Sequence, residues 1–250
     1  MTDPRIQPPD DTVVMVPARL ASQRFPRKLL YEIEGRPLIL WTADRLKSEL
    51  PGWRVVYAVA DEELQSVLEA EGCETVMTDP ALASGTDRLA AANKEVGARY
   101  VINVQADEPL VKGSEVRLLA ELVQGDFDIS TLATPFRSHE DFLNPNRVKV
   151  ICDGDGRAFY FSRSPIPHSR DGDELGGGEG FWHLGLYAYR AEALERFSSL
   201  PPSRLESIEK LEQLRALENG LRIGVGVVEE GGIGIDTLED VERFLAAMKS

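Results

Sequence analysis

Cysteine is scarce: Cys73 and Cys152 are the only two among 250 residues. Two isolated thiols without zinc-like partners exclude a disulfide framework and a thiolate metal site, and they fit a reduced, cytoplasmic protein. Long apolar runs are missing too. None approaches the roughly 20 residues that cross a bilayer as a helix, so no membrane insertion is expected. Positive charge is in deficit, with 28 lysines and arginines against 42 acidic residues and a net charge of -14. That balance disfavours broad contact with a phosphate backbone, so nucleic acid is not an expected partner. The familiar phosphate fingerprints are wanting as well. Gly224-Val225-Gly226 lacks a third glycine, and no G-x-x-x-x-G-K-[ST] exists. Rossmann-type hydride transfer and P-loop ATP hydrolysis both lose support. There is no internal repeat and no low-complexity tract.

What is present is an ordinary globular composition, 42% hydrophobic, on a length that suits one large α/β domain. Met1 to Asp11 is polar and proline-rich without the apolar core of a signal peptide, and is expected to be a mobile tail. Residues 12–250 then form a single domain. Strand-like runs recur at Val13–Val16, Val55–Ala60, Thr75–Met77, Tyr100–Val104 and Ile129–Ala133. Helical patterns at Pro37–Leu46, Glu62–Glu71 and Thr86–Val96 lie between them, which implies βαβ units and a parallel sheet. After Pro135 the rhythm changes. Arg147–Cys152 and Ala158–Ser162 flank Asp153-Gly154-Asp155-Gly156, a hairpin signal. A glycine- and charge-rich loop from Arg163 to Gly180, expected to be mobile, precedes a strand at His183–Tyr189. Helices at Ala191–Ser198 and Ser203–Asn219, a strand at Ile223–Val228 and a helix at Thr237–Met248 complete the pattern. The expected architecture is a doubly wound, mostly parallel Rossmann-like sheet with a smaller antiparallel β insertion at about 136–190.

Three places bear chemistry. Directly after the first strand stand Arg19, Arg24, Arg27 and Lys28, and ligands of open parallel sheets bind beyond the carboxyl ends of strands. Four cations there, on an acidic chain, suggest a site for a multiply charged anion; a solvated basic loop is the plainer alternative. The strand Val101–Val104 runs into Gln105-Ala106-Asp107-Glu108-Pro109, where Asp107 could anchor a magnesium ion or merely open a proline-fixed turn. Asp236, ahead of Glu239, is either a second metal carboxylate or the start of a capping box.

Together these segments resemble the 3-deoxy-manno-octulosonate cytidylyltransferase family. Its P-A-R-x-x-S-x-R-x-P-x-K pattern is met by Pro17, Ala18, Arg19, Ser22, Arg24, Pro26 and Lys28. Segments similar to its other motifs follow at Ser84-Gly85-Thr86-Asp87-Arg88, Val104–Pro109, Phe161-Ser162-Arg163, His183-Leu184-Gly185, Leu211–Arg215 and Asp236–Asp240. The resemblance implies a nucleotidyltransferase that moves CMP from CTP to the anomeric hydroxyl of 3-deoxy-D-manno-octulosonate (Kdo), releasing pyrophosphate for lipopolysaccharide synthesis. It implies Pro17, Ala18, Arg19, Ser22, Arg24, Lys28, Ser84, Gly85 and Arg88 at the nucleotide, with Arg19, Lys28, Asp107 and Asp236 catalytic. Mg²⁺ is expected on Asp107 and Asp236. Gln105, Arg163, His183, Tyr187, Glu212 and Gln213 are expected at the sugar acid, although His183 could equally be a satisfied strand histidine, Tyr187 core and Glu212 an exposed helix charge. A homodimer is implied as well.

Two departures stand out. Arg27 and Ala106 replace family glycines, before the loop lysine and before Asp-Glu-Pro. Arginine restricts backbone angles that glycine permits, so the loop either takes another path or gains a phosphate contact. The Ala106 methyl could narrow the sugar pocket and favour another sugar acid, such as an amino-substituted Kdo or a nonulosonate. A non-catalytic nucleotide-binding relative is the alternative from another class. A transferase that consumes a nucleotide sugar is disfavoured, since Asp153-Gly154-Asp155 reads as a turn.

Overall fold

The computed structural model describes residues 11–21, 25–170, 180–232 and 234–248. The expected tail lies outside them except for Asp11, as does 171–179 of the expected loop. In chain order the elements are β1 (Thr12–Ala18), a 3-10 turn (Lys28–Leu30), β2 (Glu32–Ile33), β3 (Arg36–Pro37), α1 (Leu38–Glu49), β4 (Val55–Val59), α2 (Glu62–Ala70), β5 (Glu74–Met77), α3 (Gly85–Val96), β6 (Tyr100–Asn103) and α4 (Gly113–Gln124). They continue with β7 (Ile129–Pro135), α5 (His139–Leu143), β8 (Lys149–Cys152), β9 (Ala158–Ser162), β10 (Phe181–Arg190), α6 (Ala191–Ser199), α7 (Arg204–Glu209), α8 (Gln213–Glu218), β11 (Ile223–Val227) and α9 (Leu238–Met248). No helix among the described residues is long and apolar enough to cross a membrane.

The chain divides into two compact units, one of residues 1–117 with 232–250 and one of 118–231. In the first, the strands run in the order β6-β1-β4-β5, all parallel, with Val14 opposite both Ile102 and Val55. β1 is apolar without alternation, and Val14, Met15 and Val16 are wholly buried, the pattern of a parallel strand covered on both faces. α3 is closed at its start by a capping box, Ser84 with Asp87, and at its end by left-handed Gly97, as helix-terminus chemistry dictates. α9 belongs to this unit. Its Val241 and Phe244 pack with Ile33, Leu38 and Ile235, each such side chain stabilising the unit by about 1.5–3 kcal/mol, and the Phe244 ring meets Trp41 edge-on at 5.6 Å.

The second unit pairs β11 with β7 in parallel, then β7 with β10, β10 with β8 and β8 with β9 antiparallel. The antiparallel insertion expected at 136–190 lies inside it. The Asp153–Gly156 turn forms as expected: Gly156 donates to Asp153 O at 3.1 Å and sits at φ 80°.

The structure adds the short β2, β3 and α5 to the expected elements and differs from them at two larger places. No range was named for a helix between Pro109 and Ile129, and α4 is there, with Val116, Leu119, Ala120 and Val123 buried at helical spacing. The single helix expected over Ser203–Asn219 is two, because Lys210 adopts the left-handed conformation (φ 55°) that terminates α7. Across that bend the Arg215 guanidinium donates to both oxygens of Glu206, at 2.8 and 2.5 Å.

Candidate active site

The first unit holds a cavity of about 760 Å³ at the carboxyl ends of β1 and β6. Pro17, Ala18 and Arg19 reach it from the end of β1, and Gln105 and Ala106 from beyond β6. Gly85 and Arg88 bring in the first turns of α3. A Cβ at Gly85 would stand 3.4 Å from the Pro17 ring, so glycine lets the helix start close against β1. The Ser84 hydroxyl accepts the Asp87 N–H at 3.1 Å; its place in the motif is to start the helix that carries Arg88. Arg88 is 1% exposed, donates from Nη1 to Thr78 Oγ1 and to Asp79 O at 3.3 Å, and leaves Nη2 buried without a partner among the described residues. Burial first, and then the Arg19 charge, hold its pKa below the ordinary arginine value. Ser22 and Arg24 lie outside the described residues.

Lys28, Asp107 and Asp236 meet at this cavity. The Lys28 ammonium has three N–H donors and three acceptors: Asp107 Oδ2, Asp236 Oδ1 at 2.9 Å and Ile235 O at 3.2 Å. Burial works to lower its pKa, but Asp107 and then Asp236 outweigh it and raise the value above that of free lysine. The two aspartates come together through main chain and core. Ile235 is 0% exposed and its N–H donates to Asp107 O at 2.9 Å, which staples the segment before α9 to the turn after β6. The helix cap lies one residue beyond the expected Asp236–Glu239 pair. Asp240 Oδ2 accepts from the Thr237 N–H at 3.0 Å and from the Asp236 N–H at 3.1 Å, while the Asp240 N–H donates to Thr237 Oγ1 at 3.3 Å. Thr237 and Asp240 therefore do the capping, and the Asp236 carboxylate turns to Lys28. The proline-fixed turn is real as well, with the Glu108 N–H on Gln105 O at 3.2 Å. Glu108 is half-buried with its Oε2 out of contact with solvent, and desolvation followed by the charges of Asp107 and Glu115 pushes its pKa up to about 8.

Arg27 resolves the question raised by the missing glycine. Its backbone sits at φ 56°, ψ 27°, so the loop keeps a glycine-like path at the cost of a left-handed arginine. Its guanidinium reaches Glu63 at 2.5 Å on the exposed side of α2.

Of the residues expected at the sugar acid, Gln105 lines this cavity, whereas Arg163, His183, Tyr187, Glu212 and Gln213 belong to the second unit. His183 is 8% exposed, with Nε2 3.0 Å from Thr131 Oγ1 and its ring against Phe161 at 4.9 Å and Tyr187 at 5.5 Å. Thr131 Oγ1 lies 2.7 Å from Leu186 O, so its single proton goes there and the imidazole donates from Nε2. Burial drops the His183 pKa to about 3 and raises that of Tyr187 well above the phenolic value. Gln213 is buried at the start of α8, next to Glu212. Sequence reasoning missed Lys149 and gave no role to Glu209, although Ile208-Glu209 is one of the segments similar to the family; the two hold Arg163 from both sides, and the signal available for the lysine was its place inside the apolar run Val148–Ile151.

The cytidylyltransferase family model matches residues 13–223. The chain is 42% identical to the 3-deoxy-manno-octulosonate cytidylyltransferase of Chloroherpeton thalassium over 94% of this chain and 97% of that protein. It is also 42% identical to the protein of that name from Acidobacterium capsulatum, over 94% and 96%. Among solved structures it is similar to CMP:2-keto-3-deoxy-manno-octonic acid synthetase complexed with CTP. That likeness has a TM-score of 0.87 and 34% identity, covering 95% of this chain and 98% of that one. A cytidylyltransferase from Leptospira borgpetersenii, at 14% identity and a TM-score of 0.63 over 96% of this chain and 87% of that one, shares the fold alone.

Proposed function

The chain belongs to the 3-deoxy-manno-octulosonate cytidylyltransferase family, and on that premise we propose that it transfers CMP from CTP to the anomeric hydroxyl of Kdo. The products are CMP-Kdo, for lipopolysaccharide synthesis, and pyrophosphate. The observation that carries this reading is the convergence of Asp107 and Asp236 on Lys28 at the cavity beyond β1. Two carboxylates from segments far apart in the chain, sharing one cation beside Arg19 and Arg88, are what an in-line displacement at a phosphorus needs for positioning and charge neutralisation.

The donor set fits Mg²⁺. Asp107 and Asp236 offer hard oxygen atoms that already share a cation, and among the described residues no third histidine, cysteine or acid joins them; magnesium is bound by one or two carboxylates, with substrate phosphates and water completing the shell. When bound there, the ion lowers the pKa of the attacking hydroxyl and neutralises charge on phosphate oxygens. The chain's own groups do the rest. Lys28 holds both carboxylates side by side. Arg19 supplies fixed positive charge for the triphosphate, and Arg88 Nη2 offers a buried donor at the wall. Gln105 presents an amide to the acceptor. Arg163 is the cation for the sugar carboxylate, and Glu212 with Gln213 read its hydroxyl edge.

The proposal extends to a homodimer formed through the antiparallel insertion and working in the cytoplasm, supported by the family resemblance. A second acceptor deserves a place in the test because Ala106, in place of glycine, lines the cavity. The test is pyrophosphate release with CTP, ATP, GTP or UTP against Kdo, amino-substituted Kdo and a nonulosonate. Release with CTP and Kdo is expected. Preference for another sugar acid moves the acceptor, and no release with any acid overturns the reading.

A further inference from the structure

The second unit contains a lysine with no exposed surface. Lys149, in β8, is 0% exposed, and its ammonium donates to Asn144 O at 2.9 Å and Arg163 O at 2.8 Å. Burying an ammonium is costly unless it is well partnered, and an apolar side chain would fill the same space at less cost. The charge therefore has a use. Glu209, the last residue of α7, supplies the opposite charge on the other side of the same residue: its carboxylate accepts from Ser162 Oγ at 2.7 Å and from the Arg163 N–H at 2.9 Å. Both main-chain polar atoms of Arg163 are thus gripped, the N–H by a carboxylate and the C=O by an ammonium. The side chain is fixed as well. Nε donates to Glu209 O at 2.7 Å, Nη1 to Pro145 O at 3.1 Å and Nη2 to Lys210 O at 3.4 Å. Of the five guanidinium N–H groups that leaves two without a partner among the described residues, one on each terminal nitrogen, the number a bidentate carboxylate takes.

We propose that Lys149 and Glu209 are positioning residues that aim Arg163 at the carboxylate of the sugar acid, an inference that rests on the functional reading above. They touch no substrate. They hold the segment at the end of β9 so that the guanidinium keeps its two outward donors in a fixed place, which spares the ordering cost of a mobile arginine.

The test is pyrophosphate release by the full chain, with Kdo varied at saturating CTP and then CTP varied at saturating Kdo. Glu209→Gln keeps the shape and an acceptor oxygen while removing the charge. It should raise KM for Kdo about tenfold and leave KM for CTP within about twofold, since a charge-assisted contact is lost on the sugar side alone. Lys149→Met should act in the same direction; should it fail to fold, Glu209→Gln carries the test by itself. In an Arg163→Gln background, adding Glu209→Gln should change KM for Kdo by less than about twofold, because the two residues act as one unit. Equal changes in both KM values, or full additivity in that background, overturn the positioning role alone. Failure of the unaltered chain to release pyrophosphate with any sugar acid overturns the functional reading and takes the positioning role with it.

Discussion

His183 is buried as a neutral imidazole, so acid should weaken the fold through this one residue before most carboxylates titrate. In the unfolded chain a histidine takes its proton near pH 6.5, whereas in the folded protein burial holds the value at about 3. The stability that comes from keeping the ring neutral is complete above pH 6.5 and is lost progressively as pH falls toward 3. Each pH unit in that window costs about 1.4 kcal/mol, so moving from pH 8 to pH 5 should remove about 2 kcal/mol. That is a large share of the 5–15 kcal/mol typical of a domain. Urea unfolding of the wild type and His183→Gln at pH 8, 6.5 and 5 measures it. The variant keeps an amide donor for Thr131, so it should be less stable at pH 8 and then lose ground more slowly than the wild type on acidification. Parallel pH dependences, within about 0.5 kcal/mol, would refute the buried neutral state.

Asp107→Ala should lower turnover at least about a hundredfold while the fold survives, since electrostatic groups at reacting phosphates contribute on that scale; full activity in a pyrophosphate assay removes the proposed metal role. Lys28 has its pKa raised by Asp107 and Asp236, so the stability from those pairs is complete below about pH 10.4 and lost as pH rises through the folded value. Lys28→Met should therefore flatten the alkaline limb of a stability-against-pH curve and abolish turnover; an unchanged alkaline limb argues against the pairing. Arg27→Gly should leave stability close to that of the unaltered chain. Relief of the left-handed arginine opposes the extra freedom of glycine in the unfolded chain and the loss of an exposed ion pair. A clear fall in the urea midpoint would mean that the Glu63 contact holds the loop.

Much of the first unit was readable because its signals are local. β1 is a continuous apolar run ending in cations, and α3 opens on serine and closes on glycine, so strand, helix and cavity edge all follow from short segments. What escaped notice needed distant contacts or an unadvertised backbone state. Arg27 and Lys210 both adopt left-handed conformations that a glycine would have announced. Around Asp236 two capping patterns overlap by one residue, Asp236 with Glu239 and Thr237 with Asp240. The choice is settled by burial of Ile235 and its hydrogen bond to Asp107, which no window of sequence displays. Asp107 and Asp236 each stood out within their own segments as one of two readings, and only the family pattern favoured them as a metal pair. The reason the two approach, a main-chain staple and an apolar plug, belongs to tertiary structure. His183 shows the same boundary: its residue type fits a ligand contact, while its partners Thr131 and Phe161 come from strands well removed along the chain.

Because residues 232–250 complete the first unit, that unit cannot close until this late segment has been made. During synthesis domains tend to fold as their residues emerge, but here a nascent chain ending near Gly231 carries β1, Lys28 and Asp107 and still lacks Asp236 and the α9 side chains that shield Leu38 and Trp41. Premature termination yields a product missing a core wall and half of its acidic pair at once, so a truncated copy would be both unstable and inert.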